Sequence, residues 1–215
     1  MGENIVTRVE RQKRNPSRVS IFINDEFAFG APVSVVEAFL LAPGLVLSDA
    51  DLERLKIEAQ REEAFERACR YLSRRLRTEE EVRAKLLEEA YSRGAVESTL
   101  ERLRRLRYLD DRNYAEAFVR DRSRFRPKGR SALSLELRRK GVPEEIIRQV
   151  LDELMSEDDE LRLAWDAATG YLPRLARVSP PRKKMTRMIS FLVRRGFPSR
   201  LARAVAEELL ESNEK

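Results

Sequence analysis

Apolar residues recur at the spacing of one helical face along most of the chain after residue 48. The clearest unit begins at Asp110 or Asp111, because a short carboxylate can accept the backbone N–H groups left unpaired in the first turn of a helix. A second helix is predicted to start near Gly129 and to end at Gly141, since glycine adopts the left-handed conformation that closes a helix. Pro143 then favours the first turn of a third helix. The apolar faces of the three helices are Tyr114, Ala115, Phe118 and Val119; Leu133 and Leu137; and Ile146, Ile147, Val150, Leu151 and Leu154.

The same order of signals occurs three times along the chain. Gly94, Gly141 and Gly196 each follow a basic residue and precede apolar residues six and nine positions later. Because so short a unit buries too little surface to be stable alone, neighbouring units are expected to stack. The predicted fold is mainly α: an elongated tandem array of three three-helix repeats, with a small N-terminal β-rich segment.

The N-terminal segment has a different pattern from the repeats. Residues 5–11 and 19–23 are rich in β-branched side chains and are separated by the turn sequence Asn15-Pro16-Ser17, which predicts a hairpin. A third strand is expected at residues 27–29, and a helix near residues 33–41. Ser48 then caps a helix that we expect to be an exposed, partly flexible connector. The predicted segments are a meander with a helix over 1–47, a helical connector over 48–62, and repeats over 63–109, 110–156 and 157–215.

The central unit carries a distinctive signature. It reads Tyr108-Leu109-Asp110-Asp111-Arg112-Asn113-Tyr114-Ala115-Glu116-Ala117-Phe118-Val119, then Gly129, then Glu136-Leu137-Arg138-Arg139-Lys140-Gly141-Val142, with Leu192-Val193-Arg194-Arg195-Gly196-Phe197 in the third unit. From about residue 60 to the C-terminus the chain closely resembles the RecX family, bacterial modulators of the RecA recombinase. The unit before Gly94 departs from the family pattern through a longer helix. The resemblance implies a protein that binds the RecA filament on single-stranded DNA, lies along its groove and inhibits it.

Charge is consistent with a polyanionic partner. Lys and Arg number 43 against 37 Asp and Glu, the net charge is +6 and the pI is near 9.7. In the second repeat, every second residue from Arg122 to Arg130 is basic, and we interpret the loop in the later half of this run, around Pro127 and Gly129, as a flexible basic collar between the first two helices. A second basic group lies at the end of the following helix. The binding candidates in this repeat are Arg122, Arg124, Arg126, Lys128, Arg130, Arg138, Arg139 and Lys140.

The third repeat has the most one-sided charge. Between Arg174 and Ala206 there are ten Lys or Arg and no acidic residue. A solvated surface is the alternative explanation, but such surfaces normally mix both signs, so the run favours electrostatic binding. The candidates here are Arg182, Lys183, Lys184, Arg187, Arg194 and Arg195.

The sequence offers little for catalysis. It contains no histidine, one cysteine (Cys69), and no glycine-rich phosphate loop, so we predict no catalytic residues, no metal site and no cofactor. The adjacent carboxylates of Asp110 and Asp111 are explained by helix capping. No apolar run is long enough for a membrane span, and a cytoplasmic protein is expected.

Two classes of function remain. The first is a non-enzymatic modulator of RecA with the RecA filament and single-stranded DNA as partners, double-stranded DNA as a weaker ligand, no membrane association and a monomeric state. The second is a stand-alone helical nucleic-acid-binding protein that acts without RecA. A scaffold whose basic residues contribute nothing is a third alternative. The scaffold alternative predicts that neutralising Arg182, Lys183, Lys184 and Arg187 changes nothing measurable, whereas the two binding functions predict a loss of binding.

Overall fold

The computed structural model describes residues 3–212, so the outermost residues of the predicted end segments, 1–2 and 213–215, lie outside the described residues. The described chain is mostly helical with a small N-terminal antiparallel sheet, as predicted. The strands are β1 Asn4–Gln12, β2 Asn15–Ile23, β3 Glu26–Pro32 and β4 Val46–Leu47. The helices are α1 Val33–Ala38, α2 Asp49–Leu72, α3 Glu79–Glu88, α4 Arg93–Arg105, α5 Asp111–Phe125, α6 Arg130–Arg139, α7 Glu144–Leu154, α8 Glu157–Leu175, α9 Pro181–Arg194 and α10 Ser199–Ser212. Two compact units result, residues 1–77 with 81–109, and residues 78–80 with 110–215.

The sheet of the first unit has the strand order β3-β2-β1-β4. The alternating residues Val19, Ile21 and Ile23 are buried, which confirms the predicted face of β2. The expected three-stranded meander was incomplete, since β4 pairs with Asn4 and Ile5 as a fourth strand. Two residues are too short to show an alternating pattern, which is why the sequence did not reveal this strand.

Helix α2 joins the sheet to the first three-helix set without a break. Ser48 caps it, as predicted, by accepting a hydrogen bond from the Asp51 amide at 3.1 Å. Leu55 and Ala59 are buried in the core under the sheet. Ala64, further along, belongs to the core formed with α3 and α4. The expectation of an exposed connector is therefore wrong at Leu55 and Ala59, because this helix supplies apolar residues to two cores.

The end of α3 corrects the alignment of the repeats. The left-handed residue that follows α3 is Ala90, with φ +65°, whereas Gly94 lies in the first turn of α4. The Tyr91 amide donates to the Leu86 carbonyl at 3.2 Å, the long hydrogen bond that closes a helix after a left-handed residue. The predicted correspondence of Gly94 with Gly141 and Gly196 is therefore wrong by four residues.

In the second unit, α5 to α10 surround one continuous apolar core. Gly141 and Gly196 have φ values of +79° and +88° and close α6 and α9, as predicted. The matching long hydrogen bonds run from Val142 to Leu137 at 3.1 Å and from Phe197 to Leu192 at 3.2 Å. All the candidate binding residues lie in this unit. The division of the chain into three repeats remains a prediction.

A candidate nucleic-acid interface

Helix α5 carries the first candidates and is fixed at both ends. Asp110 caps it by accepting a hydrogen bond from the Asn113 amide at 2.9 Å, as the sequence predicted. Ala115 and Val119 face the core. The helix ends at Phe125, and three residues, 126–128, lead to Gly129, the N-cap of α6. The basic run is therefore divided between a helix, a loop and the start of another helix.

Three of the five candidates in this run are held by ion pairs within the unit. Arg122 lies 3.3 Å from Glu136, and Lys128 pairs with the same carboxylate. Arg130 pairs with Asp152. We call Arg122, Lys128 and Arg130 the paired basic segment. A ligand would have to compete with these carboxylates to reach their charges.

The Glu136 carboxylate shows the strength of this arrangement. Partial burial alone would raise the pKa of Glu136, but hydrogen bonds and charge from Lys128 and Arg122 lower the pKa below its usual value. The carboxylate therefore stays ionised to lower pH than a free side chain, and holds the two cations.

Arg130 also completes the end of α7. Its Nη1 donates to the carbonyl oxygens of Leu151 at 3.1 Å and Met155 at 3.3 Å. These carbonyls belong to the last turn and the C-cap of α7, and the Leu151 carbonyl also accepts a hydrogen bond from the Met155 amide at 3.1 Å. Arg130 is thus an internal contact of the fold, which its place in a basic run did not indicate.

The loop before α6 is docked against the end of α9. The Gly129 amide donates to the Arg195 carbonyl at 2.9 Å, and Arg195 Nη1 donates to the Pro127 carbonyl at 3.1 Å. A Cβ atom on Gly129 would overlap the Gly196 backbone. The interpretation of the loop around Pro127 and Gly129 as a flexible collar is therefore wrong, since this close backbone approach fixes the loop.

The remaining second-repeat candidates differ in their environments. Arg124 and Arg126 are exposed, and Arg124 lies over the Phe125 ring at 5.1 Å. Arg138 makes two 2.9 Å hydrogen bonds to Glu144, and these lower the pKa of that carboxyl. Arg139 is exposed near the end of α6, and Lys140 is its half-buried C-cap.

Helix α9 presents its basic residues differently. Met188 and Leu192 face the core. At 3.6 residues per turn, four basic residues fall within about one third of the helix circumference, and the half-buried Lys184 lies at the edge of this group nearest to Met188. We call this group the open basic face; its members are Lys183, Lys184, Arg187 and Arg194.

The open basic face has no internal counter-charge. Among residues 3–212, no carboxylate forms an ion pair with any of its four members. Arg182 lies elsewhere on the circumference, and Arg195 is partly buried at the C-cap. The structure thus groups four of the six third-repeat candidates on one side of α9.

Metal-ligand clusters and membrane-spanning helices are both absent from the described residues. In residues 3–212 no group of three or more His, Cys, Asp or Glu is placed to hold a metal ion. No helix of that part of the chain is long and apolar enough to cross a membrane.

Three family models match the chain. They are the regulatory protein RecX N-terminal domain at residues 4–48, the RecX first three-helix domain at residues 64–103, and the RecX second three-helix domain at residues 110–151. The regulatory protein RecX of Listeria monocytogenes is 30% identical over 205 residues, which are 94% of this chain and 75% of that protein. The chain belongs to the RecX family.

Other members of the RecX family agree in sequence and in fold. The regulatory protein RecX of Bacillus subtilis is 28% identical over 210 residues, covering 98% of this chain and 79% of that protein. A crystal structure of regulatory protein RecX matches with a TM-score of 0.76 at 27% identity, over 95% of this chain and 99% of that one. RecX from Lactobacillus salivarius matches with a TM-score of 0.62 at 26% identity, over 70% and 96% of the two chains. The family resemblance and the mainly α fold class are confirmed, and the chain is a regulatory protein of this family.

Proposed function

We propose that this chain modulates the RecA recombinase, mainly as an inhibitor, by binding the RecA–single-stranded DNA filament along its groove. It limits filament growth, strand exchange, ATPase and coprotease activity. It acts in the cytoplasm as a monomer, through binding and without catalysis or a cofactor. Membership of the RecX family, whose relatives are named regulatory proteins, supports the regulatory part of this proposal.

The observation that carries the binding part is the open basic face. Its cations have no ion-pair partner among the described residues, so a polyanion can approach them without displacing a carboxylate of the fold. Each phosphate neutralised by such a cation releases condensed counterions, which drives binding and makes it dependent on salt. Because the four residues share one side of α9, a single strand can contact several of them at once.

Binding without catalysis is supported by composition. The chain has no histidine, the side chain that most often acts as a general base near neutral pH. The paired carboxylates of the second unit hold arginine and lysine side chains, as Glu136 does with Arg122 and Lys128. These carboxylates therefore act as partners in ion pairs that stabilise the fold.

The open basic face also favours a second candidate, a stand-alone nucleic-acid-binding protein. Direct DNA binding through unpaired cations needs no protein partner. The two candidates differ in whether RecA changes the affinity for DNA.

The test measures ATP hydrolysis by RecA on single-stranded DNA while this protein is titrated. We expect the wild-type chain to lower the steady-state rate and to bind the RecA–DNA filament more tightly than bare DNA. A variant carrying Lys183→Gln, Lys184→Gln, Arg187→Gln and Arg194→Gln should require about tenfold more protein for the same inhibition.

A matched control removes the same amount of charge from paired positions in the same unit. Its four substitutions to Gln are at arginines that already have carboxylate partners: Arg112, Arg120, Arg148 and Arg162. This control should inhibit RecA nearly as well as the wild type. Unchanged ATP turnover with the wild-type chain, together with equal affinity for DNA with and without RecA, would refute the proposal and leave the stand-alone binder.

A further inference from the structure

Three arginines from separate elements of the second unit meet around one cavity. Arg126 lies in the loop after α5, Arg174 near the end of α8, and Arg195 at the C-cap of α9; together they line a cavity of about 170 Å³. We call it the arginine cavity. Arg174 lies in the acid-free stretch but is not among the binding candidates predicted from the sequence, because only the fold brings it beside Arg126.

The charges of the arginine cavity are not balanced by the fold. No carboxylate in residues 3–212 forms an ion pair with Arg126, Arg174 or Arg195. Asp166 also lines the cavity, but its carboxylate lies 3.8 Å from Arg162. Partial burial, followed by the positive charges of Arg174 and Arg126, lowers the pKa of Arg195. An anion bound among the three guanidinium groups would relieve this repulsion.

The fold holds Arg195 in place without a ligand. Arg195 lies over the Phe191 ring at 5.0 Å and donates to the Pro127 carbonyl at 3.1 Å. Phe191 in turn stacks on Tyr171, with ring centroids 4.0 Å apart and an interplanar angle of 4°. Binding therefore does not have to order Arg195, so less conformational entropy is lost when an anion binds.

The size of the cavity and its rim narrow the ligand class. Pockets that enclose a whole small molecule usually exceed about 300 Å³, so this one suits a group such as a phosphate. Phe125 also lines the cavity, and 66% of this side chain is exposed, so its ring is accessible for stacking on a base. Only a single strand offers a free base face next to each phosphate, since bases in a duplex are already stacked.

We propose that the arginine cavity binds one backbone phosphate of a single-stranded nucleic acid while a neighbouring base stacks on Phe125. The inference deepens the proposed function and rests on it for the class of ligand. Arg194 of the open basic face directly precedes Arg195 in the chain, so the strand continues from the cavity onto α9.

The first test measures binding of a fluorescent oligothymidine to the full chain in the absence of RecA. Arg174→Gln and Arg126→Gln should each weaken binding about tenfold and make the salt dependence less steep. Neither side chain donates a hydrogen bond to a described residue, so neither substitution should unfold the protein. Thermal unfolding of the two variants checks this expectation. Arg177→Gln is the matched control: it removes an equal charge from an exposed site near the end of α8 that does not line the cavity, and should change affinity by less than about twofold.

The second test isolates base stacking. The wild-type chain should bind an abasic strand of equal length about tenfold more weakly than oligothymidine. Phe125→Leu should weaken oligothymidine binding to a similar extent and leave abasic binding unchanged. Wild-type affinity in both arginine variants would overturn the phosphate site, and a Phe125→Leu effect of equal size on both strands would overturn the stacking contact.

The outcomes separate this inference from the proposed function. Loss of oligothymidine binding in the arginine variants, with no effect of the wild-type chain on RecA, supports the cavity and refutes RecA modulation. Normal RecA inhibition, with oligothymidine binding independent of Arg126 and Arg174, refutes the cavity alone. Binding of poly-glutamate to the same variants is measured in parallel. If Arg126→Gln and Arg174→Gln weaken poly-glutamate binding and leave oligothymidine binding unchanged, the cavity is a site for protein carboxylates and the inference is refuted.

Discussion

The paired basic segment and the open basic face carry similar side chains in opposite environments. In the first, Glu136 holds both Arg122 and Lys128, and Asp152 holds Arg130. In the second, no carboxylate of the described chain pairs with the four cations of α9. A run of basic residues in the sequence shows how much positive charge is present. The charge available to a partner depends on whether the fold places carboxylates next to those side chains. The paired basic segment should therefore act on stability, and the open basic face on binding.

The largest expected effect on stability comes from a substitution at Gly129, in the loop that contains Lys128 of the paired basic segment. Gly129→Ala should lower the free energy of unfolding by about 3 kcal/mol, because its Cβ would overlap the Gly196 backbone, which has little freedom to move. Urea denaturation measures this change.

Gly170→Ala is the control for that substitution. Gly170 lies inside α8 with no atom within 4 Å of an added Cβ, so alanine should be neutral or stabilise by about 1 kcal/mol. Equal stability of the Gly129 and Gly170 variants would contradict the tight docking of the loop.

The next effect concerns Arg130. Arg130→Gln should destabilise the second unit by about 2 kcal/mol, because the Leu151 and Met155 carbonyls lose the hydrogen bonds from the Arg130 guanidinium and Asp152 loses its partner. Arg139→Gln, an exposed position on the same helix, should change stability by less than about 0.5 kcal/mol. Urea denaturation gives the free energy of unfolding of both variants. Equal values would mean that Arg130 is not a structural contact.

A pH dependence follows from Glu136. Its pKa is lower in the folded protein than the ordinary value of 4.5, so the unfolded state takes up this proton first as the solution is acidified. The stabilisation is therefore complete above about pH 5.5, where both states are ionised, and declines as the pH falls through the two pKa values. Glu136→Gln should cost about 1 kcal/mol at pH 7 and reduce the acid dependence. Parallel stability-versus-pH curves for this variant and the wild type would argue against the paired arrangement.

The smallest effect has the opposite sign and belongs to the open basic face. Lys183 and Lys184 lie four and three residues before Arg187 on α9, so these like charges repel one another. Arg187→Gln should raise the free energy of unfolding by about 0.5 kcal/mol while weakening binding to single-stranded DNA. Thermal unfolding at low salt is the sensitive measurement, and a loss of stability there would reveal an internal role for Arg187.

Much of the fold was predictable because helix ends have local signals. Asp110 and Ser48 cap helices as expected, and Gly141 and Gly196 close them. The first repeat was misaligned because Ala90 takes the left-handed conformation that glycine usually adopts, so Gly94 appeared to be the equivalent residue. A residue type is only a statistical indicator of backbone conformation, and here the structure around α3 overrides it.

The candidate site was harder to predict than the fold. The acid-free stretch predicts α9 as a binding element, and this prediction rests on the lack of acidic residues nearby in the sequence. The ion pairs of Lys128 with Glu136 and of Arg130 with Asp152 join different helices or turns, and no periodicity in the sequence indicates them. The same limit concealed the arginine cavity, since Arg126, Arg174 and Arg195 come from three separate elements.

The most direct test compares the salt dependence of single-stranded DNA binding for three proteins: the wild type, a variant with the four open-face residues changed to Gln, and a variant with the three paired-segment residues changed to Gln. We predict that the open-face variant loses roughly 3 from the slope of log affinity against log salt, at about 0.7 per phosphate on a single strand. The paired-segment variant should keep the wild-type slope to within about 0.5 and lose stability instead. An equal loss of slope in both variants would contradict the distinction between paired and available charge.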